Sequence, residues 1–260
     1  MPRTATWLGL AVFVASGGLM TVGFERAHAQ AFVQAPAKGE AAPKISAALP
    51  PDVAFGRFIA LIRGHLLTGE ELVKQRSWDD AHQHFMFPLE EIYGVIREDL
   101  RVYKTPPFDG ALKALARTVQ ARNAKQYPKA LESVERALAA ADAELKTRQP
   151  DWPRYELAVA VAVVKTAAEE YEDAVANGRI VHAVGYWTAR GFILQADRMI
   201  ESVAGDLEGK NAEALHDMRD AMSALKQAFA PVNAPKQAAL DYSDTVKIVS
   251  RVELAAAKFN

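Results

Sequence analysis

Apolar residues recur at helical spacing along this chain from Asp52 onward, and this periodicity constrains the fold more than any other feature. No segment shows the strict alternation of apolar and polar residues that is typical of a half-buried strand. Proline and glycine divide the periodic pattern into about eight helices joined by short connections. These helices are expected at residues 52–76, 77–102 with a break at Pro88, 108–123, 128–147, 151–176, 181–204, 210–229 and 235–258.

The predicted fold class is therefore all-α, either a multi-helix bundle or a stack of helical hairpins. The helical domain is expected to cover residues 52–260. A link at residues 148–150 interrupts the periodic pattern. It divides the domain into halves of 52–147 and 151–260, which could build one core or two.

The N-terminus has the pattern of a secretory signal peptide, residues 1–29. Arg3 precedes an uncharged apolar run at 7–22, and Ala-His-Ala at 27–29 is a small-x-small cleavage pattern. The run is short for a membrane span of about 20 residues, so we expect cleavage rather than an anchor. Residues 30–51 are rich in Ala and Pro and predict a flexible leader. The mature protein is expected in the periplasm, without a transmembrane segment.

Composition excludes several classes of function. Removal of residues 1–29 takes two of the 31 basic and one of the 32 acidic side chains, which leaves a net charge of −2. Basic and acidic residues are interspersed along the rest of the chain. No basic stripe is available for nucleic acid. The chain has no cysteine, so a metal site would need His, carboxylate or Met, and c-type haem attachment is excluded. Phosphate loops, nucleophile elbows and Ser/His/Asp arrangements are not apparent, so we do not expect an enzyme.

Residues 62–93 resemble a tetratricopeptide-type hairpin. This resemblance rests on small and large residues at the offsets where that repeat uses them, namely Gly69, Leu72, Trp78, Ala81 and Phe85. A second partial match lies at residues 127–137, but the other helices do not keep the period of about 34 residues. Two imperfect units fall short of the three or more that a solenoid requires. The pattern therefore favours hairpins with similar packing over a repeat array.

Three histidines, His65, His82 and His84, lie in this hairpin among several carboxylates. If its helices run antiparallel, His65 lies beside His84, His82 points elsewhere, and Glu91 lies about two turns beyond His84. Imidazoles and carboxylates on facing helices can assemble sites for Fe, Zn or Cu. We therefore predict a metal site with His65 and His84 as principal ligands, and with His82 and Glu91 as secondary candidates.

A competing interpretation of the same residues is a polar, partly exposed hairpin surface. Its histidines would hydrogen-bond to neighbouring carboxylates and bind no metal. If a metal is bound, neutral imidazole is the ligand, so affinity is expected to fall below about pH 6.5 as the histidines protonate.

The segment from Glu169 to Phe192 resembles the helical periplasmic region attached to some bacterial iron permeases. The matching residues are Tyr171, Ala174-Val175, Gly178, Ile180-Val181, Tyr186 and Phe192. Where that family tends to place carboxylates after the turn, this chain has Gly185, Thr188 and Gly191, so no acidic ligand is carried over. The resemblance implies a helical bundle associated with periplasmic metal or redox traffic, with iron favoured over copper or zinc.

These patterns and the resemblance lead to one preferred prediction and one alternative. The preferred prediction is a periplasmic helical protein that binds or handles a metal ion. A link to iron uptake, with a periplasmic or inner-membrane transport protein as partner, follows from the resemblance. The alternative is a metal-free, tetratricopeptide-like interaction module whose hairpins present a groove to another periplasmic protein.

Overall fold

The structure, a computed structural model, describes residues 49–259, and the predicted signal peptide and nearly all of the predicted leader lie outside this range. The all-α prediction is confirmed, with eight helices of ten or more residues in the described part of the chain. The long helices are α1 (Pro51–Lys74), α2 (Trp78–Phe87), α5 (Asp109–Gln120), α6 (Tyr127–Arg148), α7 (Trp152–Ala174), α8 (Ala183–Ser202), α9 (Ala204–Ala228) and α10 (Tyr242–Ala257). Two short helices are α3 (Tyr93–Ile96) and α4 (Asp99–Val102), and two short strands are β1 (Val175–Ala176) and β2 (Arg179–Ile180).

The four long helices of the N-terminal region, α1, α2, α5 and α6, pack in a ring. α1 contacts α2 and α6, and α5 contacts the same two helices. Each helix turns its apolar stripe inward, as with Leu112, Leu115 and Val119 on α5. After α2 the chain stays helical but widens into a π-helical turn (Pro88–Ile92), because proline has no N–H for the ordinary helical hydrogen bond.

The C-terminal region forms a closed arrangement of α7, α8, α9 and α10. α7 contacts α8 and α10, and α9 contacts the same two helices. The side chains of Asp151 and Asp241 cap α7 and α10, each accepting a hydrogen bond from the backbone N–H three residues later. Asn177 and Gly178, with φ of 52° and 68°, make the tight turn between β1 and β2.

α1 joins the two regions, since it packs against both α7 and α8. One close approach is at Gly64 and Gly191, where a Cβ on Gly191 would clash with the Gly64 carbonyl and the Thr68 hydroxyl. That hydroxyl donates to the backbone oxygen of Trp187 at 2.9 Å. The buried apolar side chains of residues 49–259 form one continuous cluster across this contact.

Three predicted boundaries are wrong. Residues 175–180 form a small hairpin rather than helix ends, because the left-handed turn pairs Val175 with Ile180. Helix α9 begins at Ala204 instead of near 210 and is kinked at Asn211, whose side chain caps the second part by accepting from Ala214 N. Helix α10 begins at Tyr242 rather than near 235, because Asp241 caps its first turn.

None of the helices within residues 49–259 is long and apolar enough to cross a membrane.

Candidate metal centre

His65 and His84 meet in the interior of the structure. Their Nδ1 atoms, one on α1 and one on α2, are 3.4 Å apart. The antiparallel packing of these helices, in which Gly69 faces the ring of Phe85, brings the two histidines level. His84 has no exposed surface and His65 is 5% exposed. For these two residues the competing interpretation, a partly exposed surface with carboxylate partners, is therefore wrong.

Three aromatic side chains enclose the histidine pair. The ring centroid of Phe87 lies 5.4 Å from that of His65 and 6.1 Å from that of His84. From α8, Phe192 packs edge-on against His65 at 5.1 Å, and Trp187 packs edge-on against His84 at 6.1 Å. The pair therefore lies where α1 and α2 meet α8, in surroundings that exclude water.

Burial keeps both imidazoles neutral. It lowers the pKa of His65 well below the usual value, and the neighbouring His84 lowers it further. Burial lowers the pKa of His84 to about 3. A neutral imidazole keeps a nitrogen lone pair that can bind a cation. If a metal is bound here, its loss with acid is therefore expected at a lower pH than about 6.5.

One polar atom of the pair has no partner. Nε2 of His84 is buried without a hydrogen bond in the described part of the chain. When the two Nδ1 atoms share a hydrogen bond, one donates and the other accepts. Either tautomer then leaves His84 Nε2 as an unpaired donor or an unpaired acceptor, at a cost of about 1–3 kcal/mol. A metal ion on both Nδ1 atoms would leave His84 Nε2 as an unpaired N–H donor in the same way, so this atom marks a cost of burial and not a ligand position.

The two secondary candidates do not join the pair. His82 is half-buried, and no hydrogen bond, ion pair or ring contact among residues 49–259 involves it. Glu91 lies instead near Glu170 of α7. Burial raises the pKa of Glu170 to about 7, and the charge of Glu91 contributes to that rise. Across the described residues, no three His, Cys, Asp or Glu side chains are grouped closely enough to hold a metal ion.

The spacing of the two imidazoles nevertheless fits a shared metal ion. Metal–nitrogen bonds of about 2.0–2.1 Å at a tetrahedral angle place the two nitrogens roughly 3.4 Å apart. The observed Nδ1–Nδ1 distance is 3.4 Å. The two imidazoles supply only two of the four ligands of a tetrahedral site.

The helices that follow this pair in the chain resemble a known domain. Residues 147–259 match the iron permease-associated 4-helix bundle domain. The match spans α7 to α10 and contains the segment 169–192, so the resemblance seen in the sequence is confirmed. No curated protein and no solved structure matches the chain.

The histidines and the iron permease-associated bundle come from different parts of the chain. His65 and His84 lie before the matched residues, whereas Trp187 and Phe192, two of the three enclosing aromatics, lie within them. The candidate centre is therefore built at the contact between the N-terminal helices and this bundle.

A segment of the same bundle covers the enclosing tryptophan. The connection between α9 and α10 receives hydrogen bonds at its backbone oxygens from three aromatic side chains. Trp187 Nε1 donates to Val232 at 2.7 Å, and Tyr186 and Tyr171 donate to Pro231 and Leu240, each at 2.8 Å. Trp187 is thereby fixed in the position from which it contacts His84.

The sequence did not predict one partly buried ion pair between α1 and α8. Arg190 on α8 is 7% exposed and forms a bidentate ion pair with Glu71 on α1. The one sequence signal was an arginine within an otherwise apolar face of α8. Spacing could not connect it to a carboxylate 119 residues away.

Proposed function

We propose that this chain is a helical metal-handling protein that works in the periplasm beside an iron permease, with His65 and His84 binding the metal. The buried pair of neutral imidazoles, with Nδ1 atoms 3.4 Å apart, carries the proposal. The match of residues 147–259 to an iron permease-associated domain supports the transport context.

Iron is favoured over copper or zinc through this family match, because imidazole suits all three metals. The proposal assigns binding and delivery to the chain, and no catalytic step. The periplasmic location rests on the N-terminal signal pattern.

Metal content tests the proposal directly. Full-length protein would be exported, purified from periplasm without tag or chelator, and measured by elemental mass spectrometry before and after anaerobic addition of Fe(II), Cu(I) or Zn(II). We expect bound iron in the unchanged protein and loss of at least tenfold in affinity for the His65→Leu, His84→Leu double variant, since each lost ligand removes a direct bond. Leucine fills the apolar enclosure, which limits the loss of packing.

Two further variants make this experiment specific. His216→Ala removes an exposed histidine of α9 and should leave metal content unchanged. His82→Ala tests the secondary candidate and should also have little effect, because His82 lies apart from the pair. A protein that takes up none of the three metals would contradict the proposal and leave the metal-free interaction module as the better interpretation.

A further inference from the structure

A separate cavity of about 410 Å³ lies between α1, α6, α7 and α8 and opens to solvent. Its volume falls in the range of small-molecule sites, about 300–1,000 Å³. α7 lines it with one helical face, including Glu156 and Val159, and α8 with another, including Arg198 and Met199. His65 and His84 are not among the lining residues, so the cavity is distinct from the candidate metal centre.

The charged groups of this cavity are only partly matched to one another. Arg63 and Asp142 form a bidentate ion pair, with nitrogen–oxygen distances of 3.0 and 2.7 Å. The carboxylate of Glu156, by contrast, forms no hydrogen bond or ion pair with any residue in the described range. The same holds for Arg198, which is exposed at the rim.

Ionisation of the Glu156 carboxyl group is unfavourable in this cavity, because no cation among the described residues is paired with it. Burial first, and then the nearby Asp142 charge, together raise its pKa to about 7. Arg63 and Lys146 lower this pKa, but neither forms an ion pair with Glu156. A half-buried carboxylate with this environment gains most from a cation that enters the cavity and contacts it.

We propose that the cavity binds a small zwitterion of the amino-acid class, with its ammonium group against Glu156 and its carboxylate at Arg198. Leu145, Val159 and Met199 offer an apolar wall for the rest of the molecule. A purely anionic ligand would face the Glu156 carboxylate. A divalent metal ion would find only one carboxylate of the cavity free of an arginine.

Calorimetric titration of the full-length chain with each of the standard amino acids, at up to millimolar concentration, tests this proposal. At least one should bind, and Glu156→Gln should weaken its binding at least about tenfold, the effect of removing one partner of a desolvated charge pair. The exposed Arg198 should contribute less, so Arg198→Gln should weaken binding about threefold. Glu132→Gln, an exposed carboxylate on α6, is the matched control and should change nothing.

Two further readouts separate the ammonium contact from the carboxylate contact. Binding should release protons near pH 7 in the unchanged protein, because the ammonium group favours ionised Glu156, and Glu156→Gln should abolish this release. The amine analogue that lacks the carboxylate should bind about threefold more weakly, with no further loss in Arg198→Gln. Absence of binding by every amino acid, equal binding of the amine analogue, or full binding by Glu156→Gln would overturn the proposal. None of these results depends on metal content.

Discussion

The N-terminal helices and the C-terminal bundle contribute unequally to what this protein can do. The bundle, α7 to α10, matches a known domain and is closed by its own helix contacts. The N-terminal helices carry both principal histidines and the π-helical turn, yet they lie before the matched residues. Neither region holds a complete candidate site, because the enclosing aromatics and the 410 Å³ cavity draw residues from both. The contact between the two regions is therefore where function is expected.

The largest expected effect comes from separating the two regions. Gly191→Ala places a Cβ against the Gly64 carbonyl and the Thr68 hydroxyl, and backbone at this contact has little room to move. We expect a loss of about 3 kcal/mol in the free energy of unfolding, measured by urea titration, as for other overpacked interiors.

A glycine substitution away from this contact is the control for that loss. Gly209→Ala in α9 meets no atom within 4 Å, so it should be neutral or stabilise by up to about 1 kcal/mol through helix propensity. Equal stability of the Gly191→Ala and Gly209→Ala proteins would show that α1 does not pack on α8 as described.

The sequence predicted the helices well where apolar periodicity was long, as in α1 and α7. The prediction failed at helix ends that depend on a single capping or turn-forming residue. Gly205 and Gly209 suggested a break but lie inside α9, while the actual kink is at Asn211. The β1–β2 hairpin is too short to show alternation.

The candidate site shows the same division between local and distant signals. The assumption that the two helices of one hairpin run antiparallel was enough to place His65 beside His84. Their burial could not be predicted, because Trp187 and Phe192 arrive from a helix more than a hundred residues later. Glu91 was expected near the pair, but it lies near Glu170 of α7 instead.

A smaller effect should appear when the histidine pair is titrated with acid. The folded-state pKa of His84 is about 3, whereas unfolded histidine has a pKa of about 6.5. The unfolded chain therefore binds more protons below pH 6.5, and stability falls progressively as pH drops from about 6.5 towards 3. We expect His84 to account for roughly 2 kcal/mol of loss between pH 6.5 and 4.5.

The His65→Leu, His84→Leu variant should remove this loss, measured as the difference in unfolding free energy from the unchanged protein across that pH range. Gly209→Ala, which removes no titratable group, should leave the pH profile parallel to that of the unchanged protein. Parallel profiles for the double variant as well would show that the pair is not buried in the neutral form.

The smallest effect should come from the two carboxylates that approach each other across the contact of the regions. Burial first, and then the charge of Glu91, raise the pKa of Glu170 to about 7. The folded protein thus holds a proton that the unfolded chain releases above about pH 4.5, so this group destabilises the fold as pH rises from 4.5 to 7. Glu170→Gln should stabilise by about 1 kcal/mol at pH 8 and by nothing at pH 4, in urea titrations at both values.

The effects of Glu91→Gln and Glu170→Gln on the free energy of unfolding should not add, since both substitutions remove the same repulsion. Additive effects would indicate that Glu91 and Glu170 do not interact, and hence that the π-helical turn does not approach α7. The exposed Glu132→Gln provides the baseline for removing one carboxylate elsewhere on the surface.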